Sequence, residues 1–199
     1  MATVKTTGML ALVCALATVG IVATVTRHAL MAPAAESPAP QQLATRQPLG
    51  APQPLATRRL TMPVQGFDPR KLQDNFNDMR AGVRRHEALD IMAARGTPVI
   101  AAYDGVITKL FRSLAGGITI YQSDPSRGFI YYYAHLDRYR DGLKEGQTVK
   151  RGEVIGYVGS TGNAPANAPH LHFTMFELDP ERKWWRGKAV NPYPYLAAR

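Results

Sequence analysis

The longest apolar run in the chain comes first. Between Lys5 and Arg27 no charged residue interrupts a stretch rich in Ala, Val, Leu and Thr, and about 20 such residues span a bilayer as a helix. Residues 1–28 therefore read as a membrane-targeting segment, either a signal anchor or a signal peptide. A cleaved signal has a shorter apolar core, roughly 7–15 residues, that ends at a small-residue site. The good candidate, Ala32-Pro33-Ala34, lies beyond Arg27 and His28, which favours an uncleaved anchor. The flanking charges do not set its orientation, since Lys5 is answered by Arg27. Residues 29–59 change character to a Pro-, Ala- and Gln-rich tract in which Leu43-Ala44-Thr45-Arg46 is echoed by Leu55-Ala56-Thr57-Arg58. Too little apolar surface is present there to drive folding, so the tract reads as a disordered linker. The alternative is an arm packed on the domain that follows.

From residue 60 to residue 199 the pattern is that of strands. Residues 98–110 read as strand, Asp104-Gly105 turn, strand, because Asp-Gly between apolar runs is a strong hairpin signal. Further strands are predicted over residues 117–122, 129–135, 154–158 and 170–178. Gly142, Gly146, Gly152, Gly156, Gly159 and Gly162 punctuate the second half as turns and bulges. Helix is expected only in short pieces, such as residues 68–76. The fold class is thus mainly β, a single compact antiparallel domain.

Composition narrows the chemistry. A chain of 199 residues is long enough for one domain plus extensions. Its only cysteine, Cys14, excludes an intramolecular disulfide, a Cys-based zinc knuckle and a CxxC redox pair. A metal would have to be held by His and carboxylate. The net charge of +9 invites a polyanion, but almost half of it lies before residue 60. No zinc-finger, helix-turn-helix or aromatic RNA-binding signature accompanies it, so nucleic acid is not an expected partner.

Four of the five histidines fall in three clusters: His86 to Asp90 as HxxxD, His135 within Tyr133-Ala134-His135-Leu136, and His170-Leu171-His172. Alternation in a strand sends His170 and His172 to one face and Leu171, Phe173 and Met175 to the other. A catalytic zinc site takes three protein ligands and keeps a fourth position open. His86, Asp90 and one histidine of the His170/His172 pair can supply that set, and the remaining histidines can serve as base and oxyanion stabiliser. HxxxD alone is weak and a lone histidine is more often a hydrogen-bonded structural residue. The three clusters in one domain are what point to a metal.

The segments Arg84 to Ile91, Gly96-Thr97-Pro98-Val99, Tyr133 to Leu136, Gly152 to Gly156, Gly159-Ser160-Thr161-Gly162 and His170-Leu171-His172-Phe173 together resemble the lysostaphin-type (LytM-like) zinc metalloendopeptidases. The resemblance covers about residues 60–195. It implies a compact antiparallel β domain with an open groove, Zn2+ held by His86, Asp90 and His172, and His135 and His170 as the catalytic histidines acting on water and the scissile carbonyl. It further implies peptidoglycan peptides as substrate, cleaved in the stem or cross-link, and hence a location in the cell envelope, anchored in the inner membrane and facing the periplasm or wall, or exported. One departure is Ala88, where many members carry Gly; a backbone outside the left-handed region accommodates the methyl group. The competing reading is a non-catalytic wall-binding or regulatory module using the same groove, with a regulatory protein partner. Three features keep two meanings. Residues 160–169 form a groove wall or a plain connector; Tyr131 and Tyr133, which alternation places on the face of His135, line the site or pack the core; Trp184-Trp185 contacts glycan or membrane or caps a surface turn.

Overall fold

The computed structural model describes residues 57–80 and 82–197. Its strands are β1 (Met79–Arg80), β2 (Arg84–Arg85), β3 (Leu89–Met92), β4 (Pro98–Ile100), β5 (Gly105–Ser113), β6 (Gly117–Ser123), β7 (Phe129–Tyr139), β8 (Thr148–Val149), β9 (Val154–Val158), β10 (His170–Leu178) and β11 (Gly187–Val190). A short helix, α1 (Tyr193–Ala197), closes the described chain. β1 and β2 form a separate ribbon. The others make one antiparallel sheet along β11-β10-β7-β6-β5-β8, with β3 against β10, β9 against β7 and β4 against β9.

One face of this sheet is the core. Leu171, Phe173 and Met175 of β10, Tyr131 and Tyr133 of β7 and Ile120 of β6 are fully buried there with Leu89 and Ile91 of β3. Tyr133 is the polar exception, and its hydroxyl donates to Gln122 Oε1 at 2.7 Å while accepting from the Ala102 amide at 2.9 Å. The opposite face carries the polar partners of the same alternation, His170, His172 and Thr174 on β10 and Tyr132 on β7.

The mainly β class holds, and β9 and β10 keep the bounds expected of them. Four expectations do not. Asp104-Gly105 is no hairpin: β4 pairs with β9, whereas β5 pairs with β6 and β8. Gly105 is needed because a Cβ there would stand 2.0 Å from the Ser123 carbonyl oxygen, a close-approach requirement that mimics a turn signal. The helix expected over residues 68–76 shrinks to a 3-10 turn, Pro69–Lys71, capped by the Asp68 carboxylate on the Arg70 amide. Tyr131 and Tyr133 lie in the core and do not share the face of His135. Finally, the packed domain begins before residue 60. Arg58 is 3% exposed, with its guanidinium bonded to Asp124 at 2.7 Å and to the Tyr131 hydroxyl at 2.8 Å, and lies 4.3 Å from the Phe129 ring centre. Among the described residues no helix is long and apolar enough to cross a membrane. The expected membrane segment, residues 1–28, and the linker up to residue 56 lie outside them.

Candidate metal centre

Strand pairing assembles the centre. β10 runs between β3 and β7, with His172 directly opposite Asp90 of β3 on one side and Ala134 of β7 on the other. His86 lies just before β3, where the backbone turns sharply: the His86 amide donates to the Asp78 carbonyl and the Glu87 amide to that of Phe76, both at 2.8 Å. Glu87 takes the left-handed conformation with φ 57°, and its carbonyl accepts the Thr174 hydroxyl at 2.7 Å. Since the left-handed residue is Glu87, the methyl group of Ala88 occupies an ordinary backbone position and is simply buried.

Three donor atoms converge. His86 Nε2, Asp90 Oδ1 and His172 Nδ1 are 3.0–3.1 Å from one another. The donor set is electron-rich, with two imidazoles and a carboxylate. Burial alone would raise the Asp90 pKa, yet hydrogen bonds and charge from His172 and His86 hold it well below the usual carboxylate range. Burial also lowers the pKa of His172, against the opposing pull of Asp90. His86 donates Nδ1–H to the Asn75 carbonyl at 3.0 Å, which frees its Nε2 lone pair for the cluster.

This set fits zinc. Tetrahedral bonds of 2.0–2.1 Å put neighbouring ligand atoms about 3.3 Å apart, a few tenths of an ångström more than the spacing found. A cation is already drawn to the same spot: the Arg80 guanidinium, on β1, contacts Asp90 Oδ2 and lies 2.9 Å from His86 Nε2. His86, Asp90 and His172 are also the group of metal-binding side chains that meets the spatial requirement of a metal site among the described residues.

Two more imidazoles border the set. His170 Nε2 is 3.7 Å from Asp90 Oδ1, and the His135 ring lies 4.9 Å from that of His170 and 5.5 Å from that of His172. His170 donates Nδ1–H to the Ala168 carbonyl at 2.8 Å, and His135 donates Nδ1–H to the Thr161 carbonyl at 2.7 Å. A carbonyl can only accept, so Nδ1 of each ring carries a proton, and in the neutral ring the lone pair is on Nε2. Burial, the largest effect, lowers the His135 pKa to about 4 against the help of Thr161, so that lone pair is available at neutral pH.

The placement of His135 breaks the strand rule. Its φ is 60°, and its amide leaves the regular ladder to bond the Gly116 carbonyl at 2.8 Å. The bulge turns His135 onto the face of Tyr132, whose ring meets His172 edge-on at 6.2 Å, while Leu136 returns to the core. Histidine is among the residues enriched at positive φ, but no local sequence pattern announces a bulge here. The contributions of Asn75, Arg80, Tyr132 and the carbonyls of residues 161 and 168 escape sequence reasoning for the same reason.

Residues 84–192 match the model of peptidase family M23. The chain belongs to peptidase family M23. This M23 chain is 37% identical over 122 residues to the L-Ala–D-Glu endopeptidase of Bacillus subtilis, covering 59% of the chain and 36% of that protein. It is 36% identical over 111 residues to the peptidoglycan DD-endopeptidase ShyC of Vibrio cholerae, covering 53% and 24%. The catalytic domain of lysostaphin from Staphylococcus simulans superposes with a TM-score of 0.54 at 30% identity, covering 64% of this chain and 92% of that domain. The chain thus spans about a third or less of those two curated relatives and the bulk of the lysostaphin catalytic domain.

Proposed function

We propose that this M23 domain is a zinc-dependent endopeptidase that hydrolyses peptide bonds in the stem or cross-link peptides of bacterial peptidoglycan. The observation that carries the reading is the three-atom donor set flanked by two imidazoles whose free Nε2 atoms border it. Relatives named for three different bonds, L-Ala–D-Glu, DD and glycyl-glycine, support the substrate class without selecting one bond.

His86, Asp90 and His172 would hold the ion through the atoms that already converge. Bound there, zinc supplies the Lewis acidity that activates water for attack and polarises a carbonyl. The chain's own residues do the rest. Nε2 of His135 or His170 accepts the proton of the attacking water, and the resulting imidazolium donates from the same atom to the oxyanion or to the leaving nitrogen. The bonds to Thr161 and Ala168 keep both rings in the tautomer that can accept. Completeness of all five positions favours turnover over the competing role as a non-catalytic wall-binding module. On this reading the domain works in the cell envelope, anchored through the apolar N-terminal segment or exported after its cleavage.

The test compares two alanine variants on zinc-loaded protein with purified cross-linked muropeptides. His170→Ala is expected to retain zinc and lose cleavage, whereas His172→Ala loses the metal itself. Equal metal loss in both, or no turnover by the parent protein, refutes the assignment.

A further inference from the structure

The face that carries His172 continues past the metal centre as a run of aromatic rings. Phe176 follows on β10, Tyr132 stands on β7, Tyr121 on β6 and Phe111 on β5, and Trp184 lies over them from the segment between β10 and β11. Ring contacts link His172 to Tyr132 at 6.2 Å, Tyr132 to Tyr121 at 4.7 Å, Tyr121 to Trp184 at 4.7 Å, and Trp184 to Trp185 at 5.2 Å, with Phe111 6.2 Å from Trp184. Three of these contacts, at interplanar angles of 67°, 78° and 85°, are edge-to-face, so these pairs are not stacked face to face. The run ends in solvent: Trp185 is 63% exposed and Phe111 41%. A contiguous exposed apolar surface of this kind marks a binding site.

Its direction tells what it binds. The run crosses β10, β7 and β6 in the interior of the sheet, where strand backbones are already paired, and ends on the outer part of β5, where the Glu145 carboxylate already accepts the Leu110 amide at 3.0 Å. An extended peptide would gain no main-chain pairing there, which is how peptides usually add to sheets. A bilayer surface is disfavoured by charge, because the two cations that directly flank the indoles in sequence are already matched: Lys183 with Glu181 at 2.6 Å and Arg186 with Asp179 at 3.3 Å. Rings that offer faces, rimmed by paired charges, suit a ligand with a flat C–H face and a polar edge. A pyranose has that shape: its axial C–H groups lie on the ring face, and its hydroxyl and amide groups reach the charged rim.

We propose that Phe111, Tyr121, Trp184 and Trp185 form a saccharide platform beside the metal centre, which takes N-acetylated amino-sugar rings of the glycan strand that bears the peptide. The platform rests on the peptidoglycan reading. An extended stem reaches at most about 3.5 Å per residue, so a bond held at His172 keeps its sugar within a few residues of rings that recede in steps of 4.7–6.2 Å.

The experiment titrates zinc-loaded full-length protein with short peptide-free glycan chains, read by tryptophan fluorescence and calorimetry. Saturable binding is expected, weakened on the order of tenfold by Trp185→Ala and by Phe111→Ala, as for removal of one stacking ring. Both side chains are exposed, and unfolding midpoints of the variants verify that the fold survives. No saturable binding by the parent protein overturns the platform, as does binding unchanged in both variants. A stronger response to anionic vesicles or to glycan-free peptide than to the saccharide overturns it in favour of those ligands. Hydrolysis of glycan-free cross-linked peptide by the same preparation is scored separately, so failure of the peptidase reading is distinguishable from failure of the platform.

Discussion

Replacing His135 by glycine is expected to give a more stable protein than replacing it by alanine, the reverse of the usual order within a strand. Glycine inside a strand costs roughly 0.5–1 kcal/mol relative to alanine, because it gives up more freedom on folding. At position 135 the backbone has φ 60°, where any residue with a Cβ pays about 1–2 kcal/mol and glycine nothing. Glycine's more flexible unfolded chain returns about 0.4–1 kcal/mol of that, which leaves it ahead by about 0.5–1 kcal/mol. Both variants lose the imidazole and its bond to Thr161, so those contributions cancel in the comparison, and the amide bond to Gly116 remains in each. Urea unfolding of the zinc-free proteins at a pH above 7 measures the difference, with glycine showing the higher midpoint at equal m-value. If alanine matches or exceeds glycine, the left-handed bulge is not a source of strain and the account of how His135 reaches the site fails. On the proposed mechanism neither variant should cleave muropeptides, since one of the two imidazoles assigned to proton transfer is gone from both.

Arg58→Met keeps an apolar stem over Phe129 but strands the Asp124 carboxylate, which is 1% exposed. Asp124 retains Ser126 and the amides of Gly128 and Phe129, so the loss should sit at the lower end for a broken buried pair, about 3 kcal/mol in chemical unfolding; a loss under about 1 kcal/mol contradicts the pairing. Arg80→Gln removes a half-exposed cation that competes for the donor set, and chelator competition should show zinc affinity raised about fivefold, equivalent to about 1 kcal/mol; weaker binding would make Arg80 a supporting residue instead. Because His135 titrates near pH 4 in the folded protein and near 6.5 when unfolded, the unfolded chain binds the extra proton between those values. Stability of the zinc-free protein should therefore fall as pH drops from about 6.5 to 4, by on the order of 2–3 kcal/mol, and His135→Asn should flatten that slope; equal slopes count against a buried neutral ring.

The group of side chains that could hold a metal was legible because its spacing is local. HxxxD and HxH each lie within five residues, and one strand pairing, His172 opposite Asp90, brings the two together. The face of β10 followed from plain alternation. What alternation misplaces is the partner of a bulge: Tyr131 and Tyr133 obey period two into the core, and the left-handed residue at 135 resets the phase so that Tyr132 becomes the site's tyrosine. Asp104-Gly105 misleads because glycine serves two needs, positive φ and absence of a Cβ, and the sequence writes both with one letter. Arg58 resembles a solvated linker residue until Asp124, 66 positions away, is folded against it. Long-range pairing of that sort leaves no mark in a local window.

The segment between β9 and β10 is neither a wall built from side chains nor a plain connector. It supplies the Thr161 and Ala168 carbonyls, and it is fastened in turn to the β5–β6 turn by the Asn163 amide on the Ala115 carbonyl at 3.0 Å and by the Thr161 hydroxyl, which accepts the Ile118 amide at 2.9 Å. Glycines 117 and 162 meet there so closely that a Cβ on either would come within 2.4 Å of the other segment. The orientation of both imidazoles thus hangs on one stretch of main chain, which under the proposed mechanism governs proton transfer. On the proposed mechanism, a nick or a one-residue insertion in this segment would leave His86, Asp90 and His172 together but neither bordering imidazole held for proton transfer. Within such a scaffold, the passage from enzyme to inert binding module needs no change at any histidine, only slack in a loop.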